Sequence, residues 1–137
     1  MGYAGDISVQ ESWDLLKSDP SSVLIDVRTT AEWTFVGVVD LSSLKKRALL
    51  IEWQSYPSMA VNTQFVSDVS SQVGADQTVL CLCRSGARSA AAAAALTAAG
   101  FETAYNIAAG FEGDVGPGGH RASLNGWKSG NLPWRQN

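Results

Sequence analysis

Apolar residues fall along this chain in two rhythms. Val9, Trp13 and Leu16 recur at helical spacing. The segment opens on Ser8-Val9-Gln10-Glu11, where a hydroxyl and a carboxylate can satisfy each other's backbone amides at a helix start. The helix this predicts stops before Asp19-Pro20, because the residue ahead of a proline is pushed out of helical backbone. Val23-Leu24-Ile25-Asp26-Val27-Arg28 is instead a run of branched apolar residues ending in charge. It reads as a buried strand that delivers Asp26 and Arg28 to its C-terminal edge.

The two patterns then alternate. Thr29 or Thr30 can cap a short helix through Ala31, Glu32 and Trp33. Val38-Val39 and Leu49-Leu50-Ile51 read as further strands, the second also compatible with helix on propensity, and Pro57 closes that region. Asn62 is placed to cap a helix over 63–73 with Gly74 as its stop. A strand over 78–83 follows, then a helix from Ser85 or Arg88 to Ala99 with Gly100 beyond it, and a last strand over Thr103–Ile107. Strand and helix in alternation predict an α/β fold: a largely parallel central sheet flanked by helices on both faces.

Composition sets the outer bounds. The chain has 137 residues, 45% of them hydrophobic and 17% charged, which suits one globular domain with a single core. A net charge of −3, with no basic run longer than Lys45-Lys46-Arg47, excludes nucleic acid as the expected partner. No window nears membrane-spanning length and the first residues carry no leader-like pattern, so a cytoplasmic protein without a membrane partner is expected. From residue 109 the chain turns glycine-rich but keeps Trp127 and Trp134. The expected organisation is a domain over 1–113 and a tail over 114–137 that packs back on it. His120, between Gly119 and Arg121, reads as a loop residue of that tail.

Chemistry concentrates at 80–100, LCLCRSGARSAAAAAALTAAG. Cys81 and Cys83 are the only cysteines. Two residues apart on a strand they cannot easily close a disulfide, and with one histidine they fall short of a metal site. Cys81, deep in the apolar run, reads as an inert core thiol. Cys83 stands where the strand ends, beyond which Arg84-Ser85-Gly86-Ala87-Arg88 must bend the chain into the alanine helix. Ligands of open α/β sheets bind at such strand ends. A glycine permits a tight curl with amides turned inward, and the helix dipole adds to it an anion cradle. That field and two guanidinium groups favour thiolate over thiol, so Cys83 is the expected nucleophile toward an anionic substrate.

At these residues the chain resembles the single-domain rhodanese family of sulfurtransferases. Cys83-Arg84-Ser85-Gly86-Ala87-Arg88-Ser89 is similar to the family's C-R-S-G-x-R-S active-site loop. Asp26-Val27-Arg28 with Glu32-Trp33 resembles its D-V-R-x-x-x-E-aromatic segment, and Asn106-Ile107 through Gly113 its closing strand and glycine turn. The G-H-I-x-G-A segment common in the family is absent: Phe35-Val36-Gly37-Val38-Val39 has no histidine. The resemblance implies a rhodanese fold in which Cys83 takes sulfane sulfur from thiosulfate as a persulfide and passes it to a thiol or cyanide-like acceptor, with no cofactor and as a monomer. The amides of residues 84–88 would hold the terminal sulfur, Arg84 would meet the incoming anion, Arg88 would organise the loop, and Asp26, Arg28 and Ser89 would support it. Dual-specificity phosphatases and arsenate reductases share this fold but place five residues between cysteine and arginine; here there are four, Arg84 to Ala87, a cradle suited to one sulfur atom. Inert binding modules of the same fold typically lose the cysteine that this chain keeps.

Overall fold

The computed structural model describes residues 2–55, 58–122 and 124–136. Along the chain run β1 (Gly5–Ile7), α1 (Val9–Ser18), β2 (Val23–Asp26), α2 (Thr30–Phe35), β3 (Val38–Val39), a 3₁₀ turn (Ser42–Leu44) and β4 (Leu49–Leu50). Then come β5 (Gln54–Ser55), β6 (Ala60–Val61), α3 (Phe65–Ser70), β7 (Thr78–Leu82), α4 (Ala87–Ala98), β8 (Thr103–Ile107) and β9 (Trp134–Arg135). Five strands make the central sheet in the order β1-β8-β7-β2-β4, and every pairing in it is parallel. The α/β class holds, and the crossovers place helices on both faces.

The local signals work where their partners are close in sequence. At the start of α1 the Glu11 amide donates to Ser8 Oγ at 3.0 Å and the Ser8 amide to Glu11 Oε1 at 2.9 Å. Thr29, rather than Thr30, caps α2, and Glu32 completes a second reciprocal pair with it. α1 ends at Asp19, which closes back on Leu15 ahead of the proline.

The sheet divides the core in two. On one face α3 and α4 bury Phe65, Val69, Ala92, Ala93 and Leu96 against Ile25, Val27, Val79 and Cys81. On the other Leu16 of α1, Phe111, Trp127 and Leu132 cover Leu24, Leu80, Leu82 and Ile107. Trp127 is fully buried, meets Trp13 edge-on at 6.0 Å and donates its indole N–H to the Pro133 carbonyl at 2.7 Å. The segment beyond residue 113 thus supplies one wall of this core.

Two expectations need correction, both at α3. The helix over 63–73 shrinks to α3: Asn62 Oδ1 accepts from the Gln64 amide in a turn that delays the start, and Gln64 stands at the cap with no side-chain bond. Gly74 lacks the left-handed backbone of a helix stop and donates its amide to Gln77 Oε1 instead. The Val38-Val39 strand lies outside the central sheet, where β3 pairs antiparallel with β9. Pro57 lies outside the described residues. Among those described, no helix is long and apolar enough to cross a membrane.

Candidate active site

β7 is buried from Val79 onward because neighbours flank it on both sides and helices or tail cover both faces. It ends at Leu82, so Cys83 is the first residue free to leave the sheet. Its Sγ accepts the Gly86 N–H at 3.1 Å and lies 3.2 Å from Ser89 Oγ. Gly86 makes this curl possible: its φ is +113°, and a Cβ there would collide with the Ala108 carbonyl. The loop is fastened from behind, since the Phe111 amide donates to the Cys83 carbonyl at 2.8 Å and the Glu112 amide to the Arg84 carbonyl at 3.0 Å. Gly110 is the enabling residue of that clasp, with φ +69° and no room for a Cβ beside the Cys83 and Arg84 carbonyls. α4 then starts at Ala87, and its small buried Ala92 and Ala93 let it sit low on the sheet. Its unpaired first-turn amides and its dipole face the loop.

The two arginines have different surroundings. Arg84 is exposed. Arg88 donates to both Glu32 oxygens, at 2.7 and 3.0 Å, so most of its charge is answered by α2. Burial alone would push the Glu32 carboxyl up, but the hydrogen bonds and charge of Arg88, helped by Thr29, outweigh it and hold the group below its ordinary range. Of the two guanidinium groups, Arg88 is the one that shares an electrostatic interaction with Cys83, although Glu32 holds it more strongly. A cleft of about 480 Å³ opens here, lined by Glu32, Gln54, Met59, Arg84, Arg88 and Glu112 among others.

Asp26 and Arg28 form a fully buried ion pair below the loop. Arg28 Nη2 donates to Asp26 Oδ2 and to the Gly37 carbonyl, both at 2.7 Å, and Nε to Asp26 Oδ1 at 2.9 Å. The guanidinium lies 4.3 Å from the centre of the Phe111 ring. Phe111 is the residue whose amide holds the Cys83 carbonyl, so the pair reaches the loop through an aromatic ring. The missing histidine of the Phe35–Val39 segment is thereby put in context, because that stretch meets the site through the Gly37 carbonyl.

Comparison with known proteins gives a consistent answer. The family profile described as STR4 middle domain matches residues 4–137. The chain belongs to this family. The crystal structure of Rv0390 from M. tuberculosis is 44% identical, superposes with a TM-score of 0.91 and covers 98% of this chain and 99% of that one. An uncharacterized protein of Rickettsia conorii is 36% identical over 95% of this chain and 96% of its own length. The polysulfide-sulfur transferase of Wolinella succinogenes, at 22% identity, TM-score 0.63 and coverage of 99% and 80%, shares the fold.

Within this rhodanese-like domain the structure brings together three residues that the sequence reading did not single out. Ser89 Oγ lies 2.5 Å from Asn106 Oδ1, Asn106 Nδ2 donates to Asp6 Oδ1 at 3.0 Å, and the Tyr3 hydroxyl donates to the same oxygen at 2.8 Å. Asp6, Asn106 and Cys81 are direct cross-strand partners on β1, β8 and β7, which puts them in one row. The available signal was Asn106 itself, a polar residue amid the buried positions of the last strand. Cys81 has no such company: burial, then the neighbouring Cys83, push its thiol up to about 12.

Proposed function

We propose that this chain is a sulfurtransferase that moves sulfane sulfur from thiosulfate, or a donor like it, to a thiophilic acceptor through a persulfide on Cys83. The observation that carries the reading is the place of the Cys83 sulfur, at the end of the central strand, 3.1 Å from the Gly86 amide and under the first turn of α4. The Cys83 thiolate attacks the outer sulfur of thiosulfate; the S–S bond of the donor breaks and its electron pair leaves with sulfite. The persulfide is an anion on its outer sulfur, and the loop amides with the helix N-terminus supply the field to hold it. A thiolate or cyanide then attacks that outer sulfur, the Cys83 thiolate leaves, and the free enzyme returns. Arg84, exposed at the cleft, draws the anionic donor, while Arg88 is spent on Glu32 and holds the loop to α2. Four residues between Cys83 and Arg88 make a ring of amides sized for a sulfur atom rather than a phosphate. Both cysteines are free thiols, which suits work in a reducing cytoplasm.

The test uses intact mass and turnover together. Thiosulfate is expected to add one sulfur atom to the protein, and cyanide to release it as thiocyanate; Cys83→Ser abolishes both. A wild type that gains no sulfur, or a Cys83→Ser protein that still turns over, overturns the proposal. Cys83-dependent hydrolysis of p-nitrophenyl phosphate in place of sulfur uptake would assign the site to phosphate chemistry.

A further inference from the structure

Thiosulfate and cyanide are small, but the cleft at the Cys83 loop is not. At about 480 Å³ it has the volume of a site for a much larger ligand. Part of its lining comes from the β5–β6 hairpin, which brings Gln54 and Met59 to it. That hairpin is rooted beside the sulfur loop. The Trp53 amide donates to the Val27 carbonyl at 3.1 Å, the Val27 amide donates to the Leu82 carbonyl at 2.8 Å, and the Asn62 amide closes the base of the hairpin on the Trp53 carbonyl at 2.8 Å. The Trp53 ring meets Phe65 of the core edge-on at 5.2 Å. Further out, Met59 donates its amide to the Ser55 carbonyl at 2.7 Å with a φ of +59°, a left-handed backbone that a methionine adopts only at a cost. A strained turn on a fixed base thus holds an exposed thioether at the cleft, and Val61 on β6 is exposed as well. Val36 adds a second apolar group to the lining.

The charges around the cleft do not quite cancel. Glu32 answers Arg88, and Glu112 and Lys128 attract each other. Exposed Arg84 has no ionic partner among the described residues, so one positive charge is left over there. We propose that the β5–β6 hairpin is the acceptor arm of this site, and that the acceptor it fits is a cysteine of another protein, flanked in an exposed segment by apolar and acidic residues. The apolar flank lies on Met59 and Val36, the carboxylate meets Arg84, and Gln54 offers its side-chain amide to the backbone of the segment. Methionine suits the contact because its unbranched thioether adapts to more than one apolar shape. The acceptor thiolate attacks the outer sulfur of the Cys83 persulfide; that S–S bond breaks, its electron pair returns to Cys83 as thiolate, and the sulfur leaves as a persulfide on the partner. The inference rests on the proposed transfer through Cys83 and adds the class of acceptor.

Three peptides test it with the full chain: acetyl-Glu-Leu-Cys-Leu-Glu-amide, a second with glycine for each leucine, and a third with glutamine for each glutamate. After loading with thiosulfate, sulfur is expected to pass to the first about tenfold faster than to the glycine peptide, the scale of partly burying a leucine. Against the glutamine peptide the gain is about threefold at low salt, the scale of an exposed ion pair. Met59→Asn, chosen because asparagine accepts left-handed backbone, brings the first ratio close to one and keeps the second. Arg84→Gln does the reverse. Equal rates for the three peptides with wild type, or a leucine preference that survives Met59→Asn, overturns the proposal. So does a Met59→Asn protein that slows all three in equal proportion, the mark of a merely structural hairpin. A dimer in sedimentation that Met59→Asn dissolves would give the hairpin to a second copy of this chain, and overturns it as well. The unloaded protein supplies an independent arm: each peptide is activated as its mixed disulfide with thionitrobenzoate, the Cys83 thiolate attacks the peptide sulfur, and coloured thionitrobenzoate leaves with the electron pair. The same order of rates is expected. A wild type that takes no sulfur from thiosulfate would defeat the proposed activity, while this arm still reads whether the hairpin selects the peptide.

Discussion

Cys81 and Cys83 are two residues apart, and solvent does not tell them apart: they are 0% and 1% exposed. Their polar company does. Cys81 sits among Ile25, Val79, Ala92 and Leu96, and the cost of burying its charge pushes the thiol up to about 12. Cys83, one step beyond the sheet, has an amide and a hydroxyl within 3.2 Å of its sulfur. A buried thiol is kept inert by the strand that holds it, and becomes chemically addressable where the chain must stop being a strand.

The largest way to break this contrast lies beneath Cys83. Arg28→Met leaves Asp26 as a buried carboxylate without its partner and Phe111 without its cation, at a cost of about 3–5 kcal/mol. Urea unfolding should show that loss, and a change below about 1 kcal/mol would mean that Asp26 finds other donors or takes up a proton. Next comes the curl. Gly86→Ala forces a side chain to φ +113° and into the Ala108 carbonyl, costing about 1–3 kcal/mol from backbone strain alone. Sulfur uptake at Cys83 is expected to vanish while Cys81 stays buried, and full uptake by this variant would show that the Gly86 conformation is not what presents the sulfur.

These supports were unequally legible in the sequence. The two capping boxes were readable because hydroxyl and carboxylate are three residues apart, and the Cys83 loop because strand, glycine, arginines and helix formers are contiguous. Asn106 and Asp6 are 100 residues apart, and only the parallel pairing of β1 with β8 makes them neighbours. β1 has three residues beginning with glycine, too short to show a strand period, and β3 finds its partner β9 almost a hundred residues on. α3 misled because Gln64, not Asn62, stands at its start, and beyond Ser70 the helix gives way to a turn in which the Gln72 and Val73 amides both close on the Val69 carbonyl. Glu32 was readable as a cap and as part of the family segment, but its partner Arg88 required the fold.

That partnership carries the next smaller effect. Glu32→Gln removes one charge of a partly exposed pair and should cost at most about 1 kcal/mol at neutral pH. Because the carboxyl is held below its ordinary value of 4.5 in the folded protein, the unfolded chain protonates first on acidification. The contribution is present above that value and is lost as pH falls below it toward the folded value. The gap between wild type and Glu32→Gln in urea unfolding should therefore close on the acid side; a gap that stays constant there would show that Arg88 does not stabilise the charged carboxylate.

Cys81→Ala is the smallest perturbation and the sharpest on the comparison itself. It removes one buried sulfur, costs about 1 kcal/mol at neutral pH, and should leave sulfur uptake at Cys83 unchanged. Its signature appears in alkali. With the folded thiol at about 12 and the ordinary value at 9.0, the unfolded wild type gives up the Cys81 proton first as pH rises past 9.0, and the folded form keeps it. Wild-type stability from this group is complete below 9.0 and then falls by about 1.4 kcal/mol per pH unit relative to a chain without the thiol. The alanine variant should thus draw level with wild type roughly one pH unit above that point and be the more stable protein beyond it. The tyrosines and lysines are common to both proteins and drop out of the difference. If the gap does not narrow, the Cys81 thiol ionises as readily in the fold as out of it, and the strand interior is not what separates the two cysteines.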